Sequence, residues 1–177
     1  MKRKIAAISP LGLLTLAACG GSSSSSNFSE QTIKIIKGPL QNANVFLDYD
    51  QDGILDAGET TGSTDASGVV KLTPTSGTYD IVATTDNTTV DTYSGRAVSS
   101  ITLTAPKGAE VVTPLTTLLS DGVNVATASS NVATALGITL PDGETLLTYD
   151  PFATGSAISD ADKLAYEKAT TQVVNVL

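Results

Sequence analysis

The sequence predicts a mainly β fold: an antiparallel β-sandwich followed by a small α-helical region. Three observations lead there. From residue 32 to about 106, short β-branched and apolar runs alternate with turn residues. Past Lys107 the apolar spacing changes from two to between three and four. Thr, Ser, Gly and Val are abundant, while the 177 residues include no Trp and no His, a composition suited to an exported β domain.

The chain opens on an address. Lys2, Arg3 and Lys4 precede an apolar run from Ile5 to Ala18. That run has the length of a signal-peptide core and is too short for a spanning helix. It closes on Leu16-Ala17-Ala18-Cys19. Gly20 to Ser26 is a Gly/Ser tether with nothing to bury. Four segments are therefore expected: a leader over 1–18, Cys19 and its tether over 19–31, a sandwich over 32–107 and a helical region over 108–177. Cys19 is the single cysteine, so no internal disulfide forms.

Within the sandwich, Thr32 to Lys37 is a first strand, ended by Gly38-Pro39. Asn44 to Asp48 is a second and Glu59 to Ser63 a third. Thr64-Asp65-Ala66-Ser67-Gly68 is a turn, and Val69 to Leu72 a fourth strand. In Gly77 to Thr85, Tyr79, Ile81 and Ala83 share one face, with Asp80 and Val82 on the other. Ile101 to Thr104 is the last clear strand.

Thr113-Pro114 then reads as a helix start, with Leu115, Leu118 and Leu119 on one face and Asp121-Gly122 as its stop. Ser129 to Leu136 is a short helix closed by Gly137. Ser159 to Leu177 is the longest, opened by Ser159 and Asp162 and striped by Ala161, Ala165, Ala169, Val173 and Val176. The stripe runs to the last residue, as expected either of a piece of a longer protein or of a helix docked on the sandwich.

The chain has 10 basic and 18 acidic residues. Without Lys2, Arg3 and Lys4 it keeps 7 against 18, a net charge of −11, which argues against nucleic-acid partners. Without His, and with its one thiol at the end of the leader, His-based triads, most zinc sites and thiol chemistry drop out. Carboxylate-based hydrolysis stays open as a minor reading, and an enzyme is not expected. Asp80, Asp86 and Asp91 read as turn and solvated-face residues before they read as a second cation site. Tyr49 and Tyr79 read as half-buried, not as a binding platform.

One segment specifies a chemistry. Residues 48–59 place acids at loop positions 1, 3, 5, 9 and 12 (Asp48, Asp50, Asp52, Asp56 and Glu59) and Gly53 at position 6. Ca2+ takes six to eight oxygens, and this spacing is that of a twelve-residue calcium loop. The four aspartates offer carboxylate oxygens, Ile54 its carbonyl and Glu59 both oxygens. Leu55 is expected to point into the adjoining core. Gly38-Pro39 and Val45-Phe46-Leu47 upstream oppose a helix, as does Glu59-Thr60-Thr61-Gly62 downstream. The loop is therefore expected to join two strands and to play a structural part.

The N-terminal run ending Leu16-Ala17-Ala18-Cys19 resembles a bacterial lipobox. The resemblance implies cleavage before Cys19 and acylation of its thiol, hence a membrane partner through the lipidated N-terminus. Gly20 after the cysteine resembles the pattern sent to the outer membrane in diderm bacteria; otherwise the outer face of the cytoplasmic membrane is implied. Gly38-Pro-Leu, Ala43-Asn-Val-Phe-Leu-Asp48, the Asp-rich loop and Thr64-Asp65-Ala-Ser-Gly68 resemble B-type and carboxypeptidase-regulatory-like domains of bacterial surface proteins. This likeness covers about 33–85 and implies an Ig-like or transthyretin-like sandwich with structural calcium. Val112-Thr-Pro-Leu-Thr-Thr-Leu-Leu, Ala135-Leu-Gly-Ile and Tyr149-Asp-Pro151 are similar to a helical module that follows such domains. Together these imply a cell-envelope protein serving surface architecture or adhesion, with a cell-surface or extracellular protein or glycan as partner. A carbohydrate- or solute-binding module is the alternative.

Overall fold

The computed structural model describes residues 28–98, 100–119, 124–155 and 159–177. The leader, Cys19, the Gly/Ser tether and the Asp121-Gly122 stop lie outside them. No helix among the described residues is long and apolar enough to cross a membrane.

Among the described residues ten strands precede the helices: β1 (Gln31–Ile35), β2 (Leu40–Gln41), β3 (Asn44–Asp48), β4 (Thr60–Ser63), β5 (Val69–Leu72), β6 (Asp80–Thr84), β7 (Val90–Asp91), β8 (Arg96–Ala97), β9 (Thr102–Pro106) and β10 (Val111–Val112). A 3-10 turn (Thr116–Leu118), α1 (Val125–Ala135) and α2 (Asp160–Val174) follow. The main sheet runs β4-β3-β6-β9 and is antiparallel throughout. The second runs β10-β1-β5, and a small third runs β2-β7-β8.

Alternation builds the sandwich. Ile33 and Ile35 from the second sheet meet Val45, Leu47, Ile81, Ala83 and Leu103 from the main sheet in one buried core. Full burial of each large aliphatic side chain contributes about 1.5–3 kcal/mol. Tyr79 is fully buried with them, while Tyr49 is half-buried and meets it edge-on at 6.2 Å. Asp86 and Asp91 act as turn residues. Asp86 accepts from the Thr88 amide, and Asp91 from the amides of Tyr93 and Ser94.

The second sheet is mixed rather than wholly antiparallel. β10 pairs parallel with β1, Lys34 opposite Val111 and Ile35 opposite Val112. The sandwich therefore continues past residue 107. The amides of Glu110 and Val111 both donate to the Leu147 carbonyl (2.8 and 3.0 Å), and Lys34 bonds Asp150 at 2.6 Å. These contacts tie the helical region to the sheet edge, and Leu147 packs against both cores.

The helical core gathers Leu115, Leu119, Ala133, Ile138, Leu146, Tyr149, Tyr166, Ala169 and Val173. Three expectations change here. The Thr113 hydroxyl does accept from the amides of Leu115 and Thr116, but the segment is a 3-10 turn and Leu118 is exposed. The Thr116 hydroxyl donates to the Thr104 carbonyl at 2.7 Å, and the Thr117 hydroxyl accepts from the Thr104 amide at 3.0 Å. Pinned along β9 in this way, the turn sends Leu118 outward. Helix α1 begins at Val125, capped by Asn124, so Ser129 lies inside it and its buried hydroxyl accepts from the Leu146 amide.

On α2 the predicted stripe is buried at Ala169 and Val173 but not along its whole length. Ala161 and Val176 are exposed, and Tyr166, Ala169, Thr170 and Val173 are buried. Residues four apart drift about 40° per step on a 3.6-residue helix, whereas the i, i+3, i+4, i+7 set holds one side. The start was read correctly: Ser159 caps the Asp162 amide and donates to the Asp162 carboxylate at 2.6 Å.

Candidate metal centre

The loop joins β3 to β4, so it is strand-flanked as expected. β3 delivers Asp48 to the end of the main sheet, where it is 1% exposed. Its Oδ1 accepts from the Gln51 amide at 2.6 Å and its Oδ2 from the Gly53 amide at 2.7 Å. These bonds wind the chain into a tight turn. Gln51 and Gly53 both take positive φ, +64° and +79°, and only glycine does so without steric cost. Asp52 adds a third bond, from the Ile54 amide at 2.7 Å.

The winding brings Asp48, Asp50 and Asp52 together, one oxygen of each within 4.8 Å of the others. Two oxygens on one Ca2+ at 2.3–2.6 Å stand at most roughly 5 Å apart. The group can therefore share a single ion, and its all-oxygen donors suit a hard cation. Asp50 shows the crowding. Local desolvation and the neighbouring Asp52 charge hold its carboxyl above the ordinary aspartate range. No loop carboxylate takes part in either ion pair found among the described residues, Lys34–Asp150 and Lys71–Glu30. A buried carboxylate beside two others without a basic partner is costly unless a cation joins them.

The second half of the loop is arranged differently. Asp56 and Glu59 do not stand in the convergent group. Glu59 clasps the loop instead, its Oε1 accepting from the Tyr49 amide at 2.8 Å and its Oε2 from the Asp56 amide at 3.0 Å. Each oxygen retains acceptor capacity beyond that bond. Ile54 is exposed, so any contribution from it would come through its carbonyl. Leu55 is 42% exposed and does not enter the core, because no helix follows the loop to turn position 8 inward. The Glu59 clasp and the positive φ of Gln51 escaped sequence reasoning. Their partners are backbone amides, which leave no mark on residue spacing.

No protein-family model matches the chain, and no curated protein or solved structure matches it. The geometry therefore carries the reading alone. It predicts that Asp50→Asn will leave the metal-free fold intact, since Asp50 is exposed, while weakening cation binding by about tenfold or more. Titration calorimetry checks the affinity and circular dichroism the fold.

Proposed function

We propose that this chain is a lipid-anchored cell-envelope protein whose sandwich is held by a structural Ca2+, serving surface architecture or adhesion. The observation that carries the reading is the buried Asp48 carboxylate, met by Asp50 and Asp52 with no basic partner among the described residues. In this reading Asp48, Asp50 and Asp52 hold the ion, and the Ile54 carbonyl, Asp56 and Glu59 complete its shell. The ion neutralises the loop and locks the β3–β4 connection, so binding adds to folding stability. A structural part is favoured over a sensory one because strands flank the loop, and sensor loops act by opening a helix pair.

The lipobox-like motif supplies the anchor: two or more acyl chains on Cys19 hold the domain at a membrane surface. Extracellular calcium modules bind with dissociation constants of roughly 10⁻⁴ to 10⁻³ M, strong enough to keep such a loop filled where calcium is plentiful. A binding or scaffolding role is favoured over catalysis, since the densest acids are engaged in the loop. The anchor is tested by treating cells with globomycin, which blocks lipoprotein signal cleavage. The precursor should accumulate with residues 1–18 attached, and Cys19→Ser should leave the membrane fraction. Unchanged processing and fractionation would contradict the anchor.

A further inference from the structure

Two large apolar side chains stand in solvent at the tip of the acidic loop: Ile54 is 63% exposed and Leu55 42%. The loop holds them there. The Ile54 amide donates to the Asp52 carboxylate at 2.7 Å and the Asp56 amide to Glu59 at 3.0 Å, so the backbone is pinned on both sides of the pair.

The strand register says at which end of the sandwich this tip lies. β1 and β5 run antiparallel with Gln31 opposite Leu72, so the start of β1 and the end of β5 share one end. Lys71 pairs there with Glu30 at 3.6 Å. The chain beyond β5 meets both roots of the loop. The Thr75 amide donates to the Tyr49 hydroxyl at 2.9 Å, and the Thr60 hydroxyl to the Thr73 carbonyl at 3.2 Å. The loop therefore leaves the sandwich at the end where the chain enters it. The β7–β8 hairpin lies at the other end, where the Thr92 amide donates to the Pro39 carbonyl beyond the finish of β1.

Cys19 stands twelve residues before Gln31. A chain of that length spans at most roughly 43 Å, so an acylated Cys19 keeps the loop's end of the sandwich close to the bilayer. Tethering at this range gives an effective concentration on the order of millimolar, which suffices for a contact too weak to recruit a free protein. Charge decides when the contact forms. Asp48, Asp50, Asp52, Asp56 and Glu59 lie within twelve residues, and without a cation they hold the tip away from phosphate headgroups. A bound Ca2+ cancels two of those charges and lets the apolar pair lead.

We infer that the calcium-loaded loop docks on the phospholipid bilayer that carries the anchor, with Ile54 and Leu55 entering the boundary between headgroups and acyl chains. The inference rests on the calcium and anchor readings above and gives the ion a second part. It sets the sandwich end-on to the membrane and turns the β7–β8 hairpin away from it.

The test uses the full lipidated chain, purified from membranes and reconstituted into phosphatidylethanolamine–phosphatidylglycerol vesicles with some lipid spin-labelled high on its acyl chain. The chain has no Trp, so Ile54→Trp supplies a single indole and keeps the backbone carbonyl at 54. Its emission should fall about twofold or more on adding calcium and recover in EDTA. In that background Asp50→Asn should raise the calcium midpoint about tenfold, and Leu55→Asp should remove most of the quenching. Tyr93→Trp, exposed in the β7–β8 hairpin, should stay unquenched in both buffers. Calorimetry and the mass of the N-terminal peptide are read on the same sample. An unquenched indole at 54, with Cys19 acylated and Tm raised by calcium, overturns the docking and leaves the two earlier readings standing. A Tm that ignores calcium, or a Cys19 without acyl chains, overturns the docking together with the reading it rests on. Emission shifted to shorter wavelength without quenching places the pair against a second copy and overturns the docking. Equal quenching of Tyr93→Trp overturns it as well.

Discussion

Asp48→Ala is expected to lower stability by about 3 kcal/mol even without calcium, a fall in Tm of roughly 6–12 °C for a chain of this size. The reason lies in the clasp. The carboxylate accepts from the amides of Gln51 and Gly53 at 2.6 and 2.7 Å. Alanine takes the charged acceptor away from both donors and truncates a side chain that is 1% exposed. Hydrogen bonds to a charged acceptor are worth about 1.5–3 kcal/mol each, and relief of repulsion with Asp50 and Asp52 offsets part of the loss. The same variant should abolish any response of Tm to calcium. Calorimetry in EDTA and in calcium separates the two effects. A Tm in EDTA equal to that of the unaltered protein would show that the clasp does not hold the loop.

Gly68→Ala is expected to cost about 3 kcal/mol for a different reason. Gly68 closes the β4–β5 turn at φ +77°, a conformation that costs an alanine roughly 1–2 kcal/mol. A Cβ there would lie 2.9 Å from the Ile35 carbonyl oxygen and 3.0 Å from the Leu40 amide nitrogen. Both are backbone atoms and cannot rotate away. The Gly68 carbonyl also accepts from the Ile35 amide at 2.8 Å, so any retreat loosens the join to β1. Urea unfolding should show a lower midpoint at unchanged slope. Gly77→Ala is the control: no atom lies within 4 Å of its Cβ position and its φ is not positive, so it should be nearly neutral.

These two sites show what the sequence makes legible. The β3 and β5 bounds and the turn from Thr64 to Gly68 follow from local patterns: alternating apolar residues and an Asp-Ala-Ser-Gly turn. Asp48, Asp50 and Asp52 were legible as a site because one short segment carries them all. β10 was not legible, since two valines form no pattern until β1, distant in sequence, pairs with them. The buried face of α2 is legible only in part: the stripe includes Ala169 and Val173 but leaves out Tyr166 and Thr170. Tyr166 and Thr170 look polar in sequence and become core only when the helix docks on Leu115 and Tyr149. Leu55 stays outside the core because strands, not helices, flank the loop.

Differential scanning calorimetry of the full chain, in 10 mM calcium and in EDTA, tests the calcium account most directly. With a dissociation constant of roughly 10⁻⁴ to 10⁻³ M, calcium should add about 1.4–2.7 kcal/mol and raise Tm by roughly 3–11 °C. Asp48→Ala should lose that rise entirely. A Tm identical in calcium and in EDTA would contradict the account.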